Sequence, residues 1–486
     1  MEKTKKQKIT FWSIIVACIL ILLSLFFYFA YQWSSNIQLT DVVQNEIVQE
    51  QIKKRVRAEN RFLLSLAPTF LGFHEPKTVL LLFLNNTELR PGGGFIGSYA
   101  TIRVDQGRIE VLTLQGVEKL DNQTPKKWKP KPPEIIKDEL KVDRWYFRDS
   151  NWSPDFAKSS RKGLKFYQKE GGVAADKIDF VVGITTTVLE EVIRTVGPVE
   201  AEGIEFTADN IIRKLQYRVH YGFKERGLSF RNRKQIMKPL FRSIVGKVQA
   251  NLLDKYDDYL DLVREMLEEK HIIVYAQDEN LQEKLSKEGY TGEVKRQPKG
   301  DYLMWVDANL AALKTDHAIN RDLNYSIKEK NEKLVATVTM KYDHTSGYDW
   351  RTSKYRTFAR VYTHKNSELL SAKINGDEVD LDKIKQGKEL NKKWFGKLTI
   401  VEPKNKKSLT YSYILPEKIK KQIREGSYSL LVQKQIGTNK PKLTLSLDFD
   451  KNIKDAKPSE LKENWGNDIY SLSTNLNKDR NFRVKF

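Results

Sequence analysis

The chain has 486 residues, with 84 Lys and Arg against 63 Asp and Glu, a net charge of +21. Apolar residues make up 40% and aromatic ones 11%, which supports real cores and excludes wholesale disorder. One cysteine rules out a disulfide framework and Cys-based metal centres, and the six histidines show no H-x3-H or HExxH spacing.

Residues 11–33 form an uncharged apolar run about as long as a bilayer core requires, so a transmembrane helix is expected there. Lys3, Lys5, Lys6 and Lys8 precede it, which would hold residues 1–10 in the cytoplasm and place the rest outside. The run is too long for a signal peptide and no small-x-small cleavage site follows, so the anchor is read as uncleaved in the cytoplasmic membrane. The outer part then carries +18 and favours anionic partners. Residues 34–75 read as a juxtamembrane helix and linker, amphipathic from Leu39 to Leu71.

An α/β domain is expected over residues 76–318. Thr78–Phe83 (TVLLLF) reads as a buried central strand, followed by a glycine-rich turn and a hairpin through Gln106-Gly107. The Pro/Lys-rich stretch TPKKWKPKPPEIIKDELK reads as a surface loop. A helix is expected from Phe156, with Ser153 as N-cap, then a strand at Ile178–Ile184 and a helix ended by Gly197-Pro198. A long helix from about Arg231 to Leu267, a strand at His271 and a last apolar strand at Asp301 complete the domain. From Asn320 seven runs alternate at period two, which predicts a β-sandwich over 319–450, with a polar, mostly irregular tail over 451–486.

Three motifs carry candidate chemistry. Gly92–Gly97 spells GxGxxG, yet a strand-like alternation follows where a dinucleotide site needs a helix N-terminus, and Ser98-Tyr99 is not a Walker Lys-Ser. The glycines are read as a turn whose amides can form an anion nest beside Arg90. Arg148-Asp149-Ser150-Asn151 and Asp155 precede a helix; the carboxylates suit a hard cation such as Mg²⁺, or serve only as turn and cap. The basic stretch holding Arg218, Arg231, Lys234 and Gln235 leads into the long helix and suits a diphosphate, or is a solvated basic face. Nucleic acid is excluded as a partner by the expected location outside the cytoplasm.

The order NNTELRPGGGFIGSY, RDSNWSPDF, GPVEAEGIEFTADN and WVDANLAALKTD resembles the bacterial family catalogued as domain of unknown function 4012, over about Lys77 to Leu447. More distantly, the chain is similar to the LytR–CpsA–Psr cell-wall glycopolymer ligases, which have one membrane helix and an outer α/β domain. TVLLLFLNNTELR looks like that family's strand and turn, with Arg90 at the arginine. Arg231-Asn232-Arg233-Lys234-Gln235 is similar to its Arg-x-x-Arg-Gln, with Lys234 at the second arginine, and Arg218 stands for the upstream loop arginine. The family's Arg-x-Asp-Thr has no counterpart in GGGFIGSY, so Asp149 or Asp155 is left to hold Mg²⁺.

The resemblance implies a phosphotransferase-like ligase that moves a glycan from a polyprenyl pyrophosphate carrier to a cell-wall polymer. Arg90, Arg218, Arg231, Lys234 and Gln235 would bind the pyrophosphate, and Arg148, Asp149 and Asp155 would serve catalysis. The alternative is a non-catalytic envelope protein, binding anionic surface glycans or acting as a scaffold.

Overall fold

The computed structural model describes residues 56–227 and 236–486, which divide into two compact units. The first comprises the described residues up to Leu84 with Ile96–Trp128 and Ser160–Thr291; the second comprises Asn85–Phe95, Lys129–Ser159 and Gly292–Phe486.

The first unit is a five-stranded mixed sheet, built from β1 (Lys77–Asn85), β2 (Phe95–Asp105), β3 (Arg108–Gly116), β4 (Phe180–Thr185) and β7 (Ile272–Ala276) in the order β3-β2-β1-β4-β7. β1 sits in the middle because its apolar run leaves no face for water: every residue from Thr78 to Leu84 is buried. It pairs parallel with β4, while β4 and β7 run antiparallel. One face carries Val79, Leu81, Phe83, Ile102 and Val274 into a core shared with helices α1 (Arg61–Phe70), α3 (Thr187–Val196), α5 (Met237–Glu268) and α6 (Glu279–Lys287). Helix α2 (Phe156–Lys169) precedes α3, and α4 (Ile211–His220) follows it after the short hairpin of β5 (Val199–Ala201) and β6 (Ile204–Phe206). In α3, Val188, Leu189, Val192, Ile193 and Val196 recur at helical spacing and are buried, and Gly197 ends the helix at φ 86°.

The second unit is a β-sandwich. One sheet has the order β13-β12-β16-β10-β9-β18-β20: β9 (Ile319–Lys330), β10 (Lys333–His344), β12 (Glu368–Ile374), β13 (Asp377–Val379), β16 (Lys406–Ile414), β18 (Lys442–Asp448) and β20 (Ile469–Asn475). The other has the order β14-β15-β11-β8-β17-β21-β19: β8 (Asp301–Val306), β11 (Tyr355–His364), β14 (Lys385–Glu389), β15 (Lys392–Val401), β17 (Ser427–Gln433), β19 (Asp455–Lys457) and β21 (Arg480–Lys485). Both contribute to one core, including Trp305, Val361 and Phe395 from one sheet and Tyr325, Val338 and Tyr411 from the other. Helix α7 (Glu417–Arg424) adds Ile419 and Ile423 to it.

Several expectations are corrected. Among the described residues no helix is long and apolar enough to cross a membrane, so a fold built around an N-terminal membrane helix is not supported; residues 11–33 lie outside the described residues. The strand at Asp301, expected to finish the α/β domain, pairs antiparallel with β11 and parallel with β17 inside the sandwich. A fully buried strand has the same sequence signature in either setting. The stretch from Lys451, expected to be irregular, supplies β19, β20 and β21, with β20 pairing to β18 and β21 to β17. Within the Pro/Lys-rich stretch expected to be a loop, Glu134–Leu140 is helical and Ile136 is buried. The segment read as a juxtamembrane helix and linker is helical over α1, and Leu63, Leu66 and Ala67 of that helix are buried.

Candidate functional site

In the sandwich unit the motifs meet in a buried polar network. Arg90 is 3% exposed; its Nε donates to Asp149 Oδ1 at 3.3 Å, its Nη1 to the Asn309 carbonyl, and its Nη2 lies 3.4 Å from Glu88 Oε1. Burial pushes the Glu88 carboxyl above its usual range, against the pull of Arg90. Asn309 donates from Nδ2 to Asp316 Oδ2 at 2.8 Å, and the same oxygen accepts from the Leu89 amide at 2.9 Å. Gln435 closes the circuit by donating to the Arg90 and Asp307 carbonyls at 3.2 and 2.8 Å. A guanidinium enclosed in this way positions backbone; it does not receive a ligand phosphate.

The glycine turn has a packing explanation. Gly94, at φ 150°, is so close to the Asn85 carbonyl that a Cβ would lie 2.6 Å from it. Gly437, at φ 78°, abuts Gly93, whose carbonyl oxygen would be 2.2 Å from an added Cβ. The amides of Gly92, Gly93 and Phe95 donate to the carbonyls of Asn151, Arg90 and Glu88. The anion nest expected beside Arg90 is therefore turned inward, onto the protein's own backbone. Gly437→Ala is expected to destabilise the sandwich unit by well over about 1 kcal/mol, because both the φ and the close approach exclude a side chain. A thermal melt unchanged from wild type would refute this.

Asp155 is completely buried and caps α2: Oδ1 accepts from the Lys158 amide at 2.8 Å and Oδ2 from the Val294 amide at 3.1 Å. The cap is thus Asp155, where Ser153 was expected; Ser153 Oγ accepts from the Asp155 amide at 3.3 Å. Burial raises the Asp155 carboxyl, with Arg296 at 3.6 Å pulling the other way. Arg148, half-buried, stacks over Tyr146 at 4.6 Å, with its Nε 3.9 Å from Asp149 Oδ2. Asp149 and Asp155 are thus engaged by guanidinium and amide donors, a donor set that does not fit Mg²⁺, and no step is derived through that ion. Among the described residues no group of three or more His, Cys, Asp or Glu side chains is placed to hold a metal.

Of the predicted phosphate binders, Arg218 is half-buried on α4 in the first unit, where its carbonyl accepts from Arg226 Nη2 at 3.5 Å. Arg231, Lys234 and Gln235 lie outside the described residues. The structure brings together Arg90, Arg148 and Asp149 and gives Asp155 separate partners.

A different site is open. A groove of about 510 Å³ on the sandwich is lined by Lys341, Lys406, Lys407 and Lys442, with Asn375 and Ser408 among its neutral hydrogen-bonding groups. Two acids also line it, Asp322 and Asp343, and Lys406 is 3.4 Å from Asp343. Arg321 at its base is committed to Asp307 (2.7 Å) and to Asp316. Lys341, Lys407 and Lys442 have no ion-pair partner among the described residues. Four lysines against two carboxylates, with amides and a hydroxyl between them, leave the groove with an excess of positive charge.

Residues 74–220 match the model of a family described as a protein of unknown function, DUF4012. The match takes in the glycine turn, the RDSNWSPDF segment that supplies Asp149 and Asp155, and the β5–β6 hairpin; the groove lies beyond it. No curated protein matches the sequence. Among solved structures, a putative nutrient binding protein of Legionella pneumophila subsp. pneumophila str. Philadelphia 1 is 9% identical, with a TM-score of 0.27 over 38% of this chain and 71% of that one. Native leukotriene A4 hydrolase from Saccharomyces cerevisiae is 10% identical, with a TM-score of 0.22 over 34% of this chain and 28% of that one. Legionella pneumophila aminopeptidase A, in complex with aspartic acid, is 8% identical, with a TM-score of 0.20 over 34% of this chain and 21% of that one. These likenesses are too distant to carry an argument.

The DUF4012 match and the groove lie on different stretches of chain, which is why motif reading passed the groove by. Its lysines come from β10, β16 and β18, far apart in sequence. The available signal was alternation: in KLVATVTMKY the outward set Thr337, Thr339 and Lys341 interleaves with the buried Val338 and Met340.

Proposed function

We propose that the protein is a non-catalytic cell-envelope component that binds an anionic glycan through the lysine groove of its sandwich unit. The observation that carries this reading is the groove itself: about 510 Å³ lies within the range of roughly 300–1,000 Å³ typical of ligand sites, and its unpaired cations call for an anion. The net charge of +21 acts in the same direction by steering polyanions toward the surface. The mixture of lysines, amides and hydroxyl suits phosphodiester-linked polyols and acidic sugars, which offer both charge and hydroxyls. An extracytoplasmic place of action goes with this reading.

The ligase reading keeps one supporting feature, an apolar cavity in the first unit lined by Leu63, Phe70, Val182, Leu260, Val263 and Leu285 among others. It suits an isoprenoid tail chemically, but at about 100 Å³ it falls below the size of an ordinary ligand site. In the sandwich unit, the enclosed state of Arg90, Asp149 and Asp155 weighs against transfer chemistry by those residues.

The test is calorimetric titration with poly(glycerol phosphate), with polygalacturonate and with neutral dextran. Wild type is expected to bind one or both polyanions and to ignore dextran. K341E/K442E is expected to lose about 30-fold or more in affinity at an unchanged melting temperature, since two favourable pairs become two repulsive ones. Equal binding by wild type and variant, or no binding of either polyanion, overturns the proposal.

A further inference from the structure

The groove opens onto the outward face of its sheet, and that face has an unusual surface. Register places Ser471, Ser446, Ser326, Thr337, Ser412 and Ser371 in one row across six strands. The next row repeats the chemistry with Thr444, Asn324, Thr339 and Thr410, and ends in Lys373 on β12. All these residues are half-buried or exposed, while their neighbours along each strand, such as Leu445, Tyr325, Val338 and Tyr411, are buried in the core. The third row holds Lys442, Asp322, Lys341 and Ser408, four of the groove's own residues.

A solvent-facing sheet surface carries polar residues that alternate with the apolar ones turned inward. Here two rows carry short hydroxyls and one amide, interrupted only by the Lys373 that ends the second. The bed is therefore free of long protruding side chains, follows the twist of the sheet for about 24 Å across the strands, and repeats every roughly 4.8 Å. Thr337 and Ser412 are hydrogen-bonded at 3.0 Å, and Thr339 and Thr410 at 2.9 Å, so their hydroxyls are oriented in pairs and each keeps capacity for another bond. No aromatic ring stands in either row, so a ligand there is held by hydrogen bonds, with cations unpaired among the described residues on the groove side. The row along the opposite margin holds Lys328, paired to Asp448 at 3.2 Å, with Val335, Ile414 and Glu368.

We infer that this bed extends the lysine groove into a track for one extended anionic glycan chain, a polyol phosphate or acidic polysaccharide, lying across the strands with an anionic group in the groove. The inference rests on the anion-binding reading of the groove. Charge complementarity selects this occupant: Lys341 and Lys442, which have no ion-pair partner among the described residues, border the hydroxyl rows on the groove side, while Lys373 at the end of one row is paired with Glu378 at 2.9 Å. Hydroxyls that both donate and accept match a polyol backbone. Contacts of this kind are individually weak, so affinity must grow with the length of chain laid on the bed.

The experiment compares a short poly(glycerol phosphate) oligomer that fits the groove alone with one long enough to cross the bed. Wild type is expected to bind the long oligomer at least about tenfold more tightly than the short one. S326E, which places a negative charge in the middle of the bed, is expected to bind the short oligomer like wild type and to lose the gain with length. T337V/T339V/T444V, built from good strand formers, is expected to behave the same way and guards against a misfolded S326E. Short-oligomer binding with no gain in wild type, or a gain preserved in both variants, overturns the track and leaves the groove standing. Failure of wild type to bind either oligomer overturns the groove reading and the track with it. A wild-type dimer in sedimentation that S326E dissociates would make the occupant a second copy of this chain, and would overturn the glycan assignment.

Discussion

Asp307→Ala is expected to lower the unfolding free energy of the sandwich unit by about 3–5 kcal/mol, the cost of breaking a buried ion network by removing one partner. Asp307 is 1% exposed, and its carboxylate serves four donors. Oδ1 accepts from Tyr342 at 2.6 Å, Trp305 at 3.2 Å and Thr357 at 3.3 Å; Oδ2 accepts from Arg321 Nε at 2.7 Å. Without it, the Arg321 guanidinium keeps Asp316 and the Tyr355 hydroxyl but loses its second carboxylate, while three buried donors lose an acceptor. Asp307→Asn keeps an acceptor oxygen and removes only the charge, so an intermediate loss is expected. Urea unfolding followed by tryptophan fluorescence measures both, with Trp305 reporting from inside the network. A loss under about 1 kcal/mol for Asp307→Ala would mean that the carboxylate is effectively solvated and the network is not a structural core.

The same network explains which parts of the protein the sequence discloses. β1 and α3 are legible because their patterns are local: a run of apolar residues for a strand covered on both faces, and a helical spacing closed by Gly197. The fate of Arg90 is not legible. A charged residue just before a glycine-rich turn reads as a ligand binder, and what buries it are Asp149 and the Asn309 carbonyl, 59 and 219 positions away in sequence. Asp155 shows a nearer failure. The SPDF segment signals a helix start correctly, but Ser153 and Asp155 compete for the cap, and the tie is broken by the Val294 amide, 139 residues away. The strand at Asp301 is legible as a strand and silent about its sheet. The hydroxyl rows sit between these cases: each strand shows its alternation, and only register turns six separate alternations into one surface.

Between pH 4 and pH 7 the sandwich unit is expected to lose about 3 kcal/mol through a single group, Asp301. Its side chain is completely buried at the start of β8, and burial pushes its carboxyl up to about 6, although two tyrosine hydroxyls and one amide favour the ionised form. Tyr325 and Tyr428 both donate to Oδ2, the latter at 2.7 Å, and the Tyr302 amide donates to Oδ1 at 2.7 Å. Because the folded state binds this proton more tightly than an unfolded chain with an ordinary carboxyl near about 4, the contribution is full below that value. It is lost as pH rises through about 6. Asp301→Asn removes the titration: one amide must take an acceptor's place, at a cost of about 1–2 kcal/mol at every pH, but the slope over this range should flatten. Urea midpoints for both proteins at several pH values decide the matter, and parallel pH profiles would show that the carboxyl titrates elsewhere. Among the described residues no lysine or arginine forms an ion pair with Asp301, so protonation is the available means of neutralising it in a core of tyrosines.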